Sequence, residues 1–200
     1  MPIKNWLAAC LLILLPAVLS AQNRPVPMDP VYDNESVQPG HTVIYGNFIQ
    51  RLGFSSGGFS QDIYLRNRAT GKIYAMRVKA TYKSKKENTF CFHLPAGEYE
   101  LSSYQWTQSK WYGGTVHLEP ISKNINFDEA QKLLKEGKLT EDRLQRYTFT
   151  AEPGKIQYLG TWHFDTPIVS FSDDKQALDA KNVKYYKKLD FNSALTTLPQ

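Results

Sequence analysis

The sequence predicts a mainly β protein, an antiparallel β-sandwich with one short helical insertion and a helical C-terminal tail. Three observations predict it. Apolar and polar residues alternate with a period of two through much of 41–172, Gly and Pro punctuate the alternation at turn-sized intervals, and helical spacing is confined to two stretches. About eight or nine strands follow, and two facing sheets would bury one face of each. A lipocalin-like closed barrel satisfies the same periodicity, and the pattern leaves the two open.

The first 21 of the 200 residues stand apart. Lys4 precedes an apolar run over 6–19 broken only at Pro16, and Leu19-Ser20-Ala21 places small residues ahead of Gln22. That order predicts a signal peptide over 1–21 and export by the Sec route, with a periplasmic, envelope-associated or extracellular address. A membrane anchor needs roughly 20 apolar residues, more than this run supplies. Leu7-Ala8-Ala9-Cys10 fits the pattern that precedes a lipidated cysteine. Cleavage there would leave Leu11 to Leu15 as the new N-terminus, so lipid anchoring at Cys10 is not expected.

Residues 22–200 suit one domain, and no later segment reaches membrane-spanning length. The formal charge of +5 falls to +4 without Lys4 and is spread along the chain apart from Lys83, Lys85 and Lys86. Such a mildly basic surface does not imply nucleic-acid binding. Cys91 is alone once Cys10 has left, which excludes an internal disulfide, and Phe90-Cys91-Phe92 reads as a strand with a small packing residue at its centre.

Residues 22–40 carry Pro25, Pro27, Pro30 and Pro39 without periodicity and read as an extended lead-in to a sandwich over 41–172. A strand runs to Ile49, and 53–60 is a Gly- and Ser-rich loop. Ile63 and Leu65, a turn at Ala69-Thr70-Gly71, and Tyr74, Met76 and Val78 form a hairpin. Phe90, Phe92 and Leu94, a turn at Pro95-Ala96-Gly97, and Tyr99, Leu101 and Ser103 read as a second hairpin. Gly113-Gly114 opens the next strand. Within the insertion, 126–146, Asp128 is placed to cap a helix with Ala130, Leu133 and Leu134 on one face and Gly137 as its stop, followed by a turn near Glu141 to Leu144. Ile156, Tyr158, Gly160, Trp162 and Phe164 then alternate along a long strand, which Leu159 marks as central. A short strand near Ile168 to Phe171 precedes the tail, 173–200, with a helix from Asp174 to Ala180.

Phe92-His93-Leu94-Pro95-Ala96-Gly97-Glu98-Tyr99-Glu100-Leu101 resembles the "LPPGxYxL" hairpin of transthyretin-like and carboxypeptidase-regulatory-like (prealbumin-type) β-sandwich domains. Tyr147-Thr148-Phe149, with Pro153-Gly154-Lys155-Ile156-Gln157-Tyr158-Leu159-Gly160, resembles the "F-x-pG-K-x-Y-x-G" strand pair of small exported bacterial proteins of uncharacterised function. The resemblance implies a prealbumin/Ig-like sandwich with an accessory, binding or structural role rather than a catalytic one.

Chemical motifs are sparse. His41, His93, His117 and His163 share no short metal-ligand spacing with one another or with Cys91, so no metal is expected. His93 and His117 could meet across neighbouring strands, and they also read as exposed strand residues on a solvent face. Asp173-Asp174 lacks calcium-loop spacing and reads as a helix cap. Ser55-Ser56-Gly57-Gly58 is no nucleophile elbow, and Gly113-Gly114 lacks the Lys-Ser or Lys-Thr of a phosphate loop. Glu98 and Glu100 alternate with core residues and should face water. No cofactor is expected.

The one concentration is aromatic. Tyr104, Trp106, Trp111 and Tyr112 fall within nine positions around Thr107 to Lys110, and exposed rings there would offer flat faces to a sugar or small ligand. The same residues also read as core, with Tyr104 and Trp106 finishing a strand and Trp111 covering a core edge. The expected function is a non-catalytic interaction or structural module of the cell envelope, partnered by an envelope protein or a glycan. A ligand-binding module using 104–112 is the first alternative, and a hydrolase whose site is assembled by the fold is the second.

Overall fold

The computed structural model describes residues 24–51, 59–80, 85–111 and 113–200. The expected signal peptide, Cys10 and most of the 53–60 loop lie outside them. Eight strands have four or more residues: β3 (His41–Ile49), β4 (Gln61–Asn67), β5 (Ile73–Lys79), β6 (Glu87–Pro95), β7 (Gly97–Lys110), β8 (Gly113–Pro120), β9 (Thr148–Ala151) and β10 (Ile156–His163). Shorter strands are β1 (Val26–Pro27), β2 (Asp29–Pro30), β11 (Ser170–Ser172) and β12 (Leu195–Thr196). Among the described residues, the α-helices are α1 (Phe127–Lys135) and α2 (Lys175–Asn182).

Two six-stranded sheets face each other in a sandwich-like arrangement. Sheet A runs β1-β5-β4-β7-β8, with β9 beside the start of β7. Sheet B runs β11-β10-β3-β6-β2, with β12 also on β10. The expected hairpin of β4 and β5 forms, its turn held by Asn67 Oδ1, which accepts from the Ala69 and Thr70 amides. The sheets are not purely antiparallel as expected. β3 and β10 pair in parallel at the centre of sheet B, and β1–β5 and β10–β12 are also parallel. Parallel neighbours need a long crossover, and here sheet A itself supplies it.

The expected second hairpin is absent. β6 pairs with β3 and β2, while β7 pairs with β4, β8 and β9, so Pro95-Ala96-Gly97 carries the chain from one sheet to the other. Gly97 has a φ of +151°, and a Cβ there would stand 2.7 Å from Asn67 Nδ2. Tyr99 then reaches back, its hydroxyl donating to the Pro95 carbonyl at 2.8 Å. A tyrosine bonding the backbone upstream of a sheet crossing is the corner device of Greek-key sandwiches. Pro153-Gly154 makes the same kind of crossing, from β9 in sheet A to β10 in sheet B.

Strand phase also departs from simple alternation. Leu159, Trp162 and Phe164 point between the sheets, whereas Ile156 and Tyr158 lie in a second core on the outer face of sheet B. Leu159 simply alternates with Tyr158, and a register shift between Tyr158 and Thr161 then turns Trp162 and Phe164 inward. Such a bulge adds one residue to a strand and exchanges its faces. Gly160 takes it up at φ +94°, and Gly46 on β3 lies against it: a Cβ at Gly46 would stand 2.4 Å from the Gly160 carbonyl oxygen and 2.6 Å from Phe90 Cζ. A second shift opposite β4, between Leu101 and Ser103, lets Tyr99, Leu101, Tyr104 and Trp106 all face inward.

The tail builds the second core. Leu178, Leu189 and Phe191 cover Val43, Tyr45, Cys91 and Tyr158, with Phe191 edge-on to Tyr45 at 5.0 Å. The Tyr45 hydroxyl donates to Asp179 Oδ1 at 2.6 Å. Cys91 is a buried packing residue, and burial pushes its thiol up to about 12. In the insertion, Asn126 rather than Asp128 caps α1, accepting from the Glu129 amide at 2.8 Å, and Phe127 and Ala130 are its buried residues instead of Leu133 and Leu134. Gly137 ends the helix through amide bonds to Leu134 and, from Lys138, to Leu133.

Two predictions follow from these packings. Gly46→Ala should lower stability by about 2 kcal/mol or more, read from the urea midpoint, because neither the Gly160 carbonyl nor the Phe90 ring can retreat without opening the centre of sheet B. Phe191→Ala should cost about 3 kcal/mol. It should also make Cys91 reactive towards a disulfide reagent under native conditions, whereas the buried thiol of the unaltered protein should stay unreactive until unfolding.

Candidate functional site

Along one side of the sandwich, β5 of sheet A and β6 of sheet B lie next to each other without pairing. The lead-in fills half of this seam. Val26 and Pro27 run beside Tyr74 and Ala75, the Met28 amide donates to Ala75 O at 3.0 Å, and the chain then crosses to sheet B. There Asp29 and Pro30 pair with His93 and Phe92, and the Val31 amide donates to Cys91 O at 3.1 Å. Pro25, Pro27 and Pro30 suit this route, since proline is tolerated on an edge strand. Beyond Ala75 and Cys91 the pairing stops, and the rest of the seam is a cleft of about 860 Å³.

Met28, Val78 and Phe92 give the cleft an apolar floor, and Lys85, Glu87 and Thr89 stand exposed at its rim. The Arg77 guanidinium forms a fork with Asp62, at 2.8 Å from Nε to Oδ1 and 3.2 Å from Nη2 to Oδ2. A buried chain of hydrogen bonds sets one end of the rim. The Tyr104 hydroxyl donates to Gln61 Oε1, Gln61 Nε2 to Gln50 Oε1 at 2.6 Å, and Gln50 Nε2 to the Lys85 carbonyl at 2.6 Å, which also accepts from Asn88 Nδ2 at 3.0 Å. Past Val31, away from the cleft, the lead-in is held through Glu35. Its carboxylate accepts from the Tyr32 amide at 3.0 Å and lies 3.2 Å from Nε2 of buried His93, and the Tyr32 amide chiefly holds it below its ordinary value.

The aromatic residues singled out from the sequence do not share a surface. Tyr104 is 0% exposed, within the inter-sheet core, and burial pushes its hydroxyl up. Trp106 is 8% exposed and stacks on His117 at 4.3 Å between ring centres. Trp111 is 94% exposed beyond the end of β7 and covers no core edge, and Tyr112 lies outside the described residues. His93 and His117 do not meet, because they sit on different sheets, and His93 is buried rather than solvent-facing. No local pattern marks the cleft residues, because β5 and β6, though consecutive in the chain, join different sheets and leave the gap between them. A usable signal was the proline spacing of the lead-in, which demands an edge.

The nearest approach to nucleophilic chemistry is at Ser172. Its Oγ is 2.8 Å from His163 Nε2, and His163 Nδ1 is 3.8 Å from Asp165 Oδ1. The same Oγ donates to Asp174 Oδ2 at 2.8 Å, and Asp165 is held by Lys86 at 2.9 Å. A carboxylate against the hydroxyl opposes the negative charge that a nucleophile must develop. Glu98 and Glu100 pair with Arg68 and Arg66 on the outer face of sheet A. Among the described residues, no group of three or more His, Cys, Asp or Glu side chains could hold a metal ion, and no helix is long and apolar enough to cross a membrane.

No protein-family model matches the chain, and no curated protein matches it. Among solved structures, a leucine-rich repeat protein from Bacteroides thetaiotaomicron aligns over 71% of this chain at 14% identity, with a TM-score of 0.36. The chain spans 16% of that protein's length, and a score this low carries no argument about fold or function.

Two measurements test this construction. Tyr104→Phe should cost about 1–2 kcal/mol in thermal or urea unfolding, because Gln61 Oε1 loses its donor in a buried setting. With its folded-state value depressed, Glu35 contributes stability in full above the ordinary carboxyl range, and that contribution is lost as pH falls through the folded value. Acid should therefore loosen the lead-in first, seen as faster exchange of the Val31 amide below about pH 4 while the amides of β3 stay protected.

Proposed function

We propose that the protein is a non-catalytic binding module of the cell envelope that takes an extended polypeptide segment into the seam between β5 and β6. One observation carries this reading: the chain's own residues 26–31 already lie in that seam as an extended segment, pairing first with one sheet and then with the other. The cleft continues the same groove. Among the described residues, no strand pairs with the seam-facing edge of β5 at Arg77 or of β6 at 87–90, which leaves those edges open to a second extended segment. Added strands gain affinity from main-chain bonds and specificity from pockets for alternate side chains, and Val78, Phe92 and Met28 supply the apolar surface for the latter.

The expected signal peptide supports an exported setting, and the prealbumin-type resemblance favours an accessory role. Both crossing motifs that carry the resemblance join two facing sheets. The exposed Trp111 favours a second reading, ligand contact at the β7–β8 tip, but it no longer has Tyr104 or Trp106 beside it as open surface.

A displayed library of short random peptides tests the cleft. Selection on the protein should enrich segments with alternating apolar residues, and the enriched peptide should slow amide exchange at Arg77 and 87–90. Thr89→Trp, which fills the rim, should weaken binding tenfold or more, whereas Trp111→Ala should leave it unchanged. Binding that depends on Trp111 and ignores Thr89→Trp would transfer the site to the hairpin tip.

A further inference from the structure

At the opposite edge of sheet A, β8 presents an eight-residue strand whose outer side no described strand pairs with. Its pairing with β7 runs from Gly113 to Pro120 without a register shift. The edges formed by β1, β2, β11 and β12 are short or blocked: β1 and β2 have two residues each and contain Pro27 and Pro30, β11 has three residues, and β12 has two. Proteins keep edges from pairing with lysine, proline, bulges or short length. β8 has no lysine, no arginine, no bulge and no proline before Pro120. Its one charged residue, Glu119, is turned inward and bonded to Arg51 at 2.7 Å. On the outward face Val116 is 63% exposed and Leu118 52% exposed.

We propose that β8 is an interface with a second copy of this chain, the two β8 strands pairing antiparallel about a two-fold axis to join both A sheets into one. Antiparallel pairing is self-complementary, because each residue of one copy meets the residue related by the axis. The register centred on His117 sets Val116 of each copy opposite Leu118 of the other on the same face. It therefore covers the two exposed apolar side chains of β8 with each other, the kind of cross-strand pair that stabilises a sheet. The same register carries Trp111 past the end of the facing strand towards the 121–126 connection of the second copy, adding apolar area where the strand contact runs out. Stable interfaces bury about 1,200 to 2,000 Å², and two paired strands lie at the small end, so the dimer belongs in the micromolar range. The surface lies across sheet A from the cleft, and neither proposal depends on the other.

Sedimentation velocity on the purified protein, at concentrations rising to about 100 μM, tests the interface together with amide exchange. The expected result is a monomer–dimer equilibrium, with exchange along β8 slowing as the dimer fills. Val116→Lys/Leu118→Lys should weaken association tenfold or more while leaving the thermal midpoint of the dilute protein unchanged. If that variant unfolds, Trp111→Ala, remote from the core, should weaken association severalfold. A protein that stays monomeric throughout overturns the proposal, as does a dimer indifferent to both variants. A monomer that captures only strands of foreign sequence at β8 replaces the second copy with a different partner and also overturns it.

Discussion

β3 and β10 lie side by side at the centre of a sheet buried on both faces, so neither strand has a face left for solvent. The inner face of sheet B packs against sheet A through Phe48, Phe90, Trp162 and Phe164, while its outer face carries Val43, Tyr45, Cys91 and Tyr158. Those outer residues require a cover, which the tail supplies through Leu178, Leu189 and Phe191. Along β10 the phase also changes at Gly160, and the bulge there requires a neighbour without a side chain. Gly46 is that neighbour, with the Phe90 ring filling the space above it.

Two sheets packed in this way leave two seams, and each is crossed by an extended part of the chain. Residues 26–31 bridge β5 and β6. On the other side Leu195 and Thr196 run beside β10, and Gln200 exchanges backbone bonds with Thr148 beside sheet A. The first bridge covers only part of its seam, and the cleft lies where its pairing ends. The proposed binding site is thus a place where the sandwich exposes edges that its own chain does not complete, and β8 is another such edge. Gln50, Gln61 and Asn67 already commit their side chains to internal bonds, so a strand added at these edges would bind chiefly through main-chain groups.

The candidate site was less legible in the sequence than the fold. Tyr104, Trp106 and Trp111 look alike in a linear reading, yet they end at 0%, 8% and 94% exposure. A bulge between Leu101 and Ser103 turns the first two inward, and the hairpin carries the third beyond the sandwich. His93 was equally opaque. Its strand position alternates with Phe92 and Leu94, which points to water in a sheet covered on one side only, but the lead-in and Glu35 cover that face.

By itself the sequence determined where the strands and helices lie, where the chain turns, and that a helical segment interrupts the β pattern, because periodicity, capping residues and Pro-Gly pairs act over a few neighbouring residues. It also marked β10 as central, through apolar residues on both of its faces. Only the tertiary structure decided which sheet each strand joins. Pro95-Ala96-Gly97 and Pro153-Gly154 signal a sharp bend, but a bend returning a strand along its neighbour and one sending it across to the facing sheet call for the same residues. What separates them is the set of long-range partners that bury the strand afterwards: for β7 they are β4, β8 and β9, and for β10 they are β3, β11 and β12. Those contacts join residues as far apart as Val43 and Ile156, beyond the reach of any local pattern.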